Sequence, residues 1–230
     1  MKIDKYIADV TGESRRKVKE LLKQKRILHN GKPATLKTEV AKGDEILVNG
    51  KKVIAKKIEP IYIVYNKPKG IICTTEKIEG NIIDAIQYPE KIYPVGRLDK
   101  DSEGLILLTN QREIMDKITN SDNEHEKEYI VTLNLPVRKQ FLKEISEGVE
   151  ILGQRTKPCV VSIEPNAKRI FRIILTQGLN RQIRRMCNAY DYQVLKLQRV
   201  RVMNVELGKL KLGEWRNLTE SELSKLLEAL

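Results

Sequence analysis

The residues best suited to chemistry lie between positions 96 and 110, where a charged loop leads directly into an apolar segment. An aspartate at the mouth of a buried strand is a carboxylate held in a fixed place, and Asp99 occupies that position. Gly96 and Gly104 stand on either side of the loop and would let a ligand approach its backbone closely. The segment therefore predicts a placed carboxylate with room for a substrate beside it.

The same loop allows a second interpretation, because it carries two further acids at alternate positions. Asp101 and Glu103 could join Asp99 in holding a divalent cation such as Mg²⁺, as in a metal-dependent nuclease. A nuclease usually needs more than one local loop, and no other acidic group falls at a matching motif. Arg97, two residues before Asp99, could contact an RNA phosphate. The residues by themselves leave both chemistries open.

Lys127 and Tyr129 form a second chemical element at the start of a predicted strand over residues 128–133. Residues two apart in a strand share a face, so their side chains should point the same way. A tyrosine in a strand most often serves core packing. The functional alternative is a ring that stacks on a nucleic-acid base and keeps its hydroxyl near the reacting carbon.

A third element lies at residues 174–187, where a strand ends at Gly178 and a helix is predicted from about residue 181 to 189. Asn180 is the predicted N-cap, and the free N–H groups of the first turn would form an anion site. Arginines at a helix N-terminus oppose the helix dipole, which indicates an external anion or an internal carboxylate as their partner. These arginines are Arg181, Arg184 and Arg185.

The strand predicted over residues 194–205 continues this basic character. Its basic residues are Lys196, Arg199 and Arg201. By alternation, Arg199, Arg201 and Met203 are expected to share one face.

The composition indicates a globular protein with a polyanionic partner. The chain has 230 residues, of which 40% are hydrophobic, and its formal net charge is +12. Such an excess favours binding to nucleic acid or to an anionic membrane surface. No amphipathic apolar-basic helix is apparent, so the membrane role is the weaker alternative. The N-terminus lacks an apolar signal segment.

Three cysteines without a CxxC pair and two histidines argue against a structural zinc site. Together with the polar N-terminus, they predict a reduced, cytoplasmic protein. No coiled coil or large apolar patch appears, so a monomer is expected.

The first fifty residues are predicted to form a separate module of two helices and a small hairpin sheet. Ser14 is the expected N-cap of the second helix, and an Asn30-Gly31 turn ends the first strand. Residues 1–48 hold 12 basic and 7 acidic side chains. The helix start and the turn resemble the S4 RNA-binding module. A linker is expected over 51–60, followed by an α+β domain over 61–230 with a mostly antiparallel mixed sheet.

Taken together, these motifs closely resemble the pseudouridine synthases, in the branch that modifies ribosomal RNA and carries an N-terminal S4 domain. The resemblance rests on residues 66–70, 96–110, 127–129 and 178–186, and it extends to residues 212–216. Within the branch, the loops are most similar to the large-subunit enzymes of subgroup F. The B, E and small-subunit enzymes differ mainly in loops.

The resemblance implies isomerisation of uridine to pseudouridine in ribosomal RNA, with 23S rRNA as the favoured substrate and tRNA as a possible second one. Asp99 would be the catalytic carboxylate, Arg184 its ionic partner, and Tyr129 the ring that stacks on the target uracil. Arg97 would enter the space left by the flipped nucleotide. No redox step occurs, so neither a cofactor nor a metal is expected. A non-catalytic S4 ribosome-assembly factor is the alternative from another class.

The same segments supply the residues expected to contact RNA. They are Arg97, Leu98, Lys100, Lys127, Asn180, Arg181, Gln182, Arg199, Arg201 and Met203, with Arg15, Arg16 and Lys19 in the N-terminal module.

Overall fold

The computed structural model describes residues 1–54 and 59–230, which fold as two compact units, Met1–Glu59 and Pro60–Leu230. The linker expected over 51–60 is only partly open to comparison, because residues 55–58 lie outside the described residues. Lys51–Lys52 is a short strand of the first unit.

The N-terminal unit places two helices against a small antiparallel sheet. In residues 1–54, four strands pair in the order β2-β1-β3-β4. The elements are α1 (Ile3–Thr11), α2 (Arg15–Lys23), β1 (Ile27–His29), β2 (Lys32–Pro33), β3 (Ile46–Val48) and β4 (Lys51–Lys52).

Local sequence signals explain where these elements begin and end. Gly12 takes a left-handed conformation and donates its N–H to the carbonyl of Ala8, which ends α1. The Ser14 hydroxyl accepts from the N–H of Lys17 and caps α2, as predicted. Asn30 and Gly31 both have positive φ, which matches a two-residue turn that joins antiparallel strands.

The C-terminal unit is built on one mixed sheet. Within residues 59–230, nine strands join in the order β11-β12-β8-β13-β7-β5-β15, with β6 beside β7 and β14 beside β13. Among these strands only the β7–β13 pairing is parallel. The strands are β5 (Tyr62–Lys67), β6 (Tyr93–Val95), β7 (Glu103–Thr109), β8 (Lys127–Leu133), β11 (Val160–Ile163), β12 (Ile170–Leu175), β13 (Val194–Val202), β14 (Val205–Glu206) and β15 (Trp215–Asn217).

Helices flank this sheet, and a two-stranded hairpin lies apart from it. The helices are α3 (Ile82–Ile86), α4 (Arg112–Thr119), α5 (Lys139–Ser146), α6 (Gln182–Asn188) and α7 (Glu220–Glu228), and the hairpin strands are β9 (Glu150–Ile151) and β10 (Gln154–Arg155). The α+β class with a mostly antiparallel mixed sheet is confirmed. Asn66 and Lys67, the first two residues of the 66–70 motif, are buried in the end of β5.

Strand β7 is the central support of the site described below. All seven of its residues are buried. Leu105 and Leu107 pack in one core cluster, and Ile106 and Leu108 pack in another. Because both faces of the strand are covered, the sequence is a continuous apolar run without alternation. The loop that precedes β7 is therefore attached to a rigid base.

Gly104 permits the close approach of β7 to β13. It has φ +106°, and a Cβ there would lie 2.3 Å from the carbonyl oxygen of Arg199 and 2.7 Å from its nitrogen. A side chain would have to separate two buried strands whose packing is fixed on both sides.

The substitution Gly104→Ala is expected to lower the free energy of unfolding by about 3 kcal/mol, through steric overlap and backbone strain. Urea unfolding measures this loss. Gly213→Ala is the matched control, because Gly213 also has positive φ but an added Cβ would meet nothing within 4 Å. The control should lose only about 1 kcal/mol. Equal losses in the two variants would contradict the packing argument.

Candidate active site

A cavity of about 800 Å³ opens in the C-terminal unit beside the loop that precedes β7. It brings together side chains from four distant segments of the chain. The polar and aromatic residues on its wall include Arg97, Asp99, Lys127, Tyr129, Arg181 and Arg199. Five of these residues belong to the three chemical elements identified in the sequence, and Arg199 belongs to the basic strand predicted after them.

Backbone hydrogen bonds fix the loop that carries Asp99. The carbonyl of Asp99 accepts from the N–H of Ser102 at 3.0 Å, and the carbonyl of Lys100 accepts from Gly70 at 2.7 Å. The N–H of Leu98 donates to the Cys73 thiol sulfur at 3.3 Å. The residues on both sides of Asp99 are therefore tied to neighbouring chain, which limits how far the carboxylate can move.

The buried Lys67 supports this loop indirectly. Its ammonium group donates to the carbonyls of Pro68 and Ile71, each at 2.9 Å. Burial lowers the pKa of Lys67. By fixing residues 68–71, the lysine holds the turn from which Gly70 donates to Lys100. The sequence motif over residues 66–70 does not by itself reveal this supporting role.

Asp99 presents a partly exposed carboxylate to the cavity, with 33% of its side chain accessible. The nearest basic group is Arg181, whose Nη1 lies 3.8 Å from Asp99 Oδ2. Arg181 binds Asp101 more tightly, through Nη1–Oδ1 at 3.0 Å and Nη2–Oδ2 at 3.1 Å. The hydrogen bond from Arg181 holds the pKa of Asp101 below its usual range. Asp99 thus keeps an accessible carboxylate beside a strongly paired neighbour.

The ion pair expected between Arg184 and Asp99 is not formed in this structure. Arg184 donates to the carbonyls of Val194 and Asp101, each at 3.0 Å, and its Nε lies 3.5 Å from Asp101 Oδ2. From its position in the first turn of α6, the guanidinium reaches these backbone acceptors. Arg184 therefore links α6, β13 and the loop that carries Asp99, and Arg181 is the cation next to Asp99.

The start of α6 also differs from the prediction. Arg181, not Asn180, is the N-cap, with left-handed φ 50° and ψ 36° and no side-chain cap. The backbone and side-chain oxygens of Asn180 instead accept hydrogen bonds from Arg185. Gln182 is buried and accepts from the N–H of Leu179. Internal acceptors therefore account for the arginines at this helix start, and the predicted Asn180 cap is wrong.

The three acids of the loop do not converge on one point. Asp101 is paired with Arg181, and Glu103 Oε1 forms an ion pair with Lys196 Nζ at 2.8 Å. In residues 1–54 and 59–230, no group of three His, Cys, Asp or Glu side chains is arranged to hold a metal ion. The geometry therefore gives no support to the interpretation of this loop as a nuclease metal cluster.

Tyr129 and Lys127 both line the cavity from β8, as their spacing predicted. The Tyr129 ring is half-buried and packs against the apolar clusters on either side. The Lys127 ammonium donates to the carbonyl of His125 at 2.8 Å. Burial, and secondarily the charge of Arg199, lowers the pKa of Lys127.

The basic strip expected along β13 is wrong. A register shift against β8 falls between Arg199 and Arg201, so the two side chains do not follow simple alternation. Arg199 is buried and donates its Nε–H to the carbonyl of Leu105 at 2.7 Å. Arg201 binds Glu126 and Glu128, and Met203 lies past the end of the strand in an apolar cluster.

Glu128 connects Arg201 to Arg172 in an ion-pair network beside the site, with both N–O distances below 3 Å. Burial alone would raise the pKa of Glu128, but the hydrogen bonds from the two arginines outweigh it and lower the pKa. A carboxylate whose pKa is lower in the folded chain than in the unfolded chain stabilises the fold at pH values above its ordinary pKa of 4.5. This stabilisation is lost as the pH falls through the pKa of the folded state.

The substitution Glu128→Gln is expected to lower the free energy of unfolding at neutral pH by about 1–3 kcal/mol, because it removes a charged acceptor from two arginines. It should also weaken the loss of stability on acidification between about pH 5 and pH 3. Urea unfolding at neutral pH and at several pH values between about 5 and 3 measures the two effects. The exposed Glu79→Gln control should change neither, and an unchanged acid dependence in Glu128→Gln would contradict the assignment.

The remaining predicted RNA contacts occupy different surroundings. Arg97 and Lys100 are exposed, and Arg97 has no ion pair within residues 1–54 and 59–230. Leu98 is packed in an apolar cluster. In the N-terminal unit, Arg15 is bound to the buried Asp4 at 2.7 Å, while Arg16 and Lys19 are exposed.

Known proteins are similar to this chain along most of its length. A family model described as RNA pseudouridylate synthase matches residues 61–189, and an S4 domain model matches residues 1–46. The chain belongs to the RNA pseudouridylate synthases. Its fold class, its synthase chemistry and its use of an RNA substrate follow from that membership.

Individual relatives are similar in sequence to this synthase over nearly its full length. The dual-specificity RNA pseudouridine synthase RluF of Escherichia coli K12 is 45% identical over 230 residues, which cover 99% of this chain and 79% of that protein. The ribosomal large subunit pseudouridine synthase B of Bacillus subtilis is 34% identical and covers 98% of this chain and 95% of its own length.

A solved structure described as a pseudouridylate synthase matches with a TM-score of 0.72 and 30% identity, over 98% of this chain and 99% of that one. In the described parts of the synthase, no helix is both long and apolar enough to cross a membrane.

Proposed function

We propose that this synthase isomerises a uridine of ribosomal RNA, in the 23S rRNA, and that Asp99 carries the reaction. A relative named for the large ribosomal subunit and the dual-specificity relatives support this substrate class. The dual-specificity name further motivates transfer RNA as a second substrate. The single observation that carries the proposal is the meeting of Asp99, Tyr129 and Arg181 on the wall of one cavity.

The reaction requires the target nucleotide to leave its stack. Flipping a base out of folded RNA costs a few kcal/mol, and a pocket with an aromatic wall recovers part of that cost. Tyr129 supplies this wall, since its ring borders the cavity from β8. Arg97, exposed at the cavity and without an ion pair in the described residues, is placed to occupy the space that the nucleotide leaves in the RNA.

The carboxylate of Asp99 acts on the sugar of the flipped nucleotide. The C1′–N1 bond breaks, the uracil turns, and a C5–C1′ bond forms. Asp99 either attacks C1′ or promotes the loss of the base by another route. Arg181 Nη1 lies 3.8 Å from Asp99 Oδ2 and helps to orient the carboxylate. Asp101 positions Arg181 by accepting a hydrogen bond from its guanidinium. Arg184 positions the loop by donating to the carbonyl of Asp101.

The net reaction conserves electrons. The proton lost from C5 equals the proton gained at N1, so the isomerisation requires no oxidant, reductant or second substrate. The protein must bind, orient and desolvate the nucleotide, and it must retain the detached base until the new bond forms.

The N-terminal unit is proposed to hold the RNA outside the cavity. Its resemblance to S4 domains and its basic composition support this assignment. Exposed Arg16 and Lys19 on α2 are the proposed contacts, whereas Arg15 is partly committed to Asp4.

Mapping of pseudouridines tests the substrate directly. Ribosomal and transfer RNA from cells that lack the protein are compared with RNA from the same cells supplied with the wild type or with Asp99→Asn. The proposal expects a 23S rRNA pseudouridine that the wild type restores and the variant does not. Restoration by the variant, or an unchanged 23S rRNA map in the deletion strain, would contradict it.

A further inference from the structure

Lys127 and Arg199 are two cations on the cavity wall that have no acidic partner among residues 1–54 and 59–230. The Lys127 ammonium donates to the carbonyl of His125, and Arg199 Nε donates to the carbonyl of Leu105. Within residues 1–54 and 59–230, neither lies within ion-pair distance of a carboxylate, and the terminal nitrogens of Arg199 have no protein acceptor. Only 4% of Arg199 is accessible. A buried cation without a counter-charge is costly, and such sites usually have a partner.

Both cations flank the proposed stacking ring. Arg199 lies directly opposite Tyr129 in the β8–β13 pairing, so the two side chains project from the same face of the sheet. Lys127 precedes Tyr129 by two residues and shares that face. The positive charge of Arg199 also contributes to the lowered pKa of Lys127, which places the two cations within electrostatic range. A base stacked on Tyr129 would therefore have its polar edge beside both cations.

The depth of the site selects the part of the nucleotide that these cations meet. A phosphodiester belongs to the RNA backbone and stays near the cavity mouth, where the exposed Arg97 and Lys100 are available. The base enters furthest. When the C1′–N1 bond breaks, its electron pair remains on uracil, and the negative charge spreads over N1, O2 and O4. A full anion thus forms at the depth of the buried Arg199 and the half-buried Lys127.

We propose that Lys127 and Arg199 are catalytic residues that stabilise the detached uracil anion. The assignment rests on the proposed function and adds residues beyond Asp99 and Tyr129. The electron pair of the C1′–N1 bond passes to uracil. Either C1′ bonds to a carboxylate oxygen of Asp99, which leaves again when C5 attacks C1′, or the C2′ proton passes to the Asp99 carboxylate to give a glycal and returns to C2′ as C5 bonds to C1′. The cations hold the anion while it turns. C5 then bonds to C1′, and the C5 proton leaves as N1 is protonated.

Two properties make this pair suited to such a role. Fixed charges in a water-poor site stabilise developing charge without reorganisation during the reaction. Each cation is also held by a hydrogen bond to a backbone carbonyl, at 2.8 Å for Lys127 and 2.7 Å for Arg199, so its position is set before the substrate arrives.

A leaving-group comparison tests the proposal. Single-turnover conversion is measured on 23S rRNA fragments transcribed with uridine or with 5-fluorouridine, by nuclease digestion and chromatography of the C-glycoside. Lys127→Met and Arg199→Gln should lose about 100-fold with uridine. Fluorine makes uracil a better leaving group, so the loss with 5-fluorouridine should be only about tenfold. The exposed Lys143→Met control should match the wild type on both RNAs.

The competing assignments give different results. Equal losses on the two RNAs would overturn the proposal and indicate positioning alone. A weaker RNA affinity with unchanged single-turnover rate at saturation would also overturn it and assign the cations to a phosphate. Should Arg199→Gln fold poorly, Lys127→Met and the conservative Arg199→Lys carry the same comparison. Wild-type conversion of uridine tests the proposed function separately, since it does not depend on either variant.

Discussion

The substitution Asp99→Asn is expected to lower the release of tritium from 5-tritiated uridine in 23S rRNA by at least about 1,000-fold, because it removes the carboxylate that acts on the sugar. Affinity for the RNA should remain close to that of the wild type, since the loop is held by its own backbone hydrogen bonds and not by the carboxylate. A filter-binding assay on the same RNA measures that affinity.

Asp122→Asn serves as the matched control for this experiment, because Asp122 is an exposed aspartate outside the cavity. It should retain full activity. Substantial tritium release by Asp99→Asn, with the control fully active, would remove Asp99 from the reaction. A loss of RNA affinity as large as the loss of rate would instead indicate that the carboxylate serves the structure of the site.

The second large effect is expected at Arg184, although this residue does not touch Asp99. Arg184→Met should lower kcat by about 100-fold, since misplacement of a catalytic group by even 1 Å can cost that much. The variant removes the hydrogen bonds that join α6 to the carbonyls of Val194 and Asp101. Steady-state kinetics on the rRNA fragment measures kcat and KM, and KM is expected to change little.

Two comparisons separate this positioning role from a general loss of stability. Arg184→Lys should recover little activity, because an ammonium group lacks the planar set of donors that reaches both carbonyls. Arg185→Met, one residue further on, should be close to wild type, because Arg185 is exposed and, within the described part of the chain, its side chain hydrogen-bonds only to Asn180. An active Arg184→Met enzyme would contradict the role assigned to this arginine.

Much of the fold follows from signals that act over short stretches of chain. The Ser14 cap, the Asn30-Gly31 turn and the apolar run in β7 each depend on neighbouring residues, and the structure confirms them. The same holds for the spacing of Lys127 and Tyr129 on one face. The short strands β6 and β15 were missed, because three residues are too few to show a periodicity.

One error arises from competition between neighbouring side chains, and two depend on residues far apart in sequence. Asn180 is a good cap by composition, but Arg185 occupies its oxygens and Arg181 takes the cap position. Arg199 and Arg201 do not share the predicted face, because the pairing of β13 with β8 shifts register between them. The alternation of residues along one strand cannot reveal such a shift. The carboxylate near Arg184 belongs to Asp101, two residues after the expected Asp99.

The burial of Arg199 could also not be predicted from the sequence pattern. Its place in a basic sequence suggested an exposed strip, whereas the parallel pairing with β7 buries it against Gly104. That pairing joins residues almost a hundred positions apart. The structure thereby moves Arg199 from an outer RNA contact to the interior of the cavity, where a role toward the base itself becomes accessible to experiment.

A crystal structure of the synthase with an RNA that carries 5-fluorouridine at the target position tests the central claim most directly. The uracil ring should lie on Tyr129, with C1′ bonded to an Asp99 oxygen or within about 3–3.5 Å of it. A target nucleotide bound elsewhere, with the Asp99 carboxylate turned toward bulk water, would contradict the account.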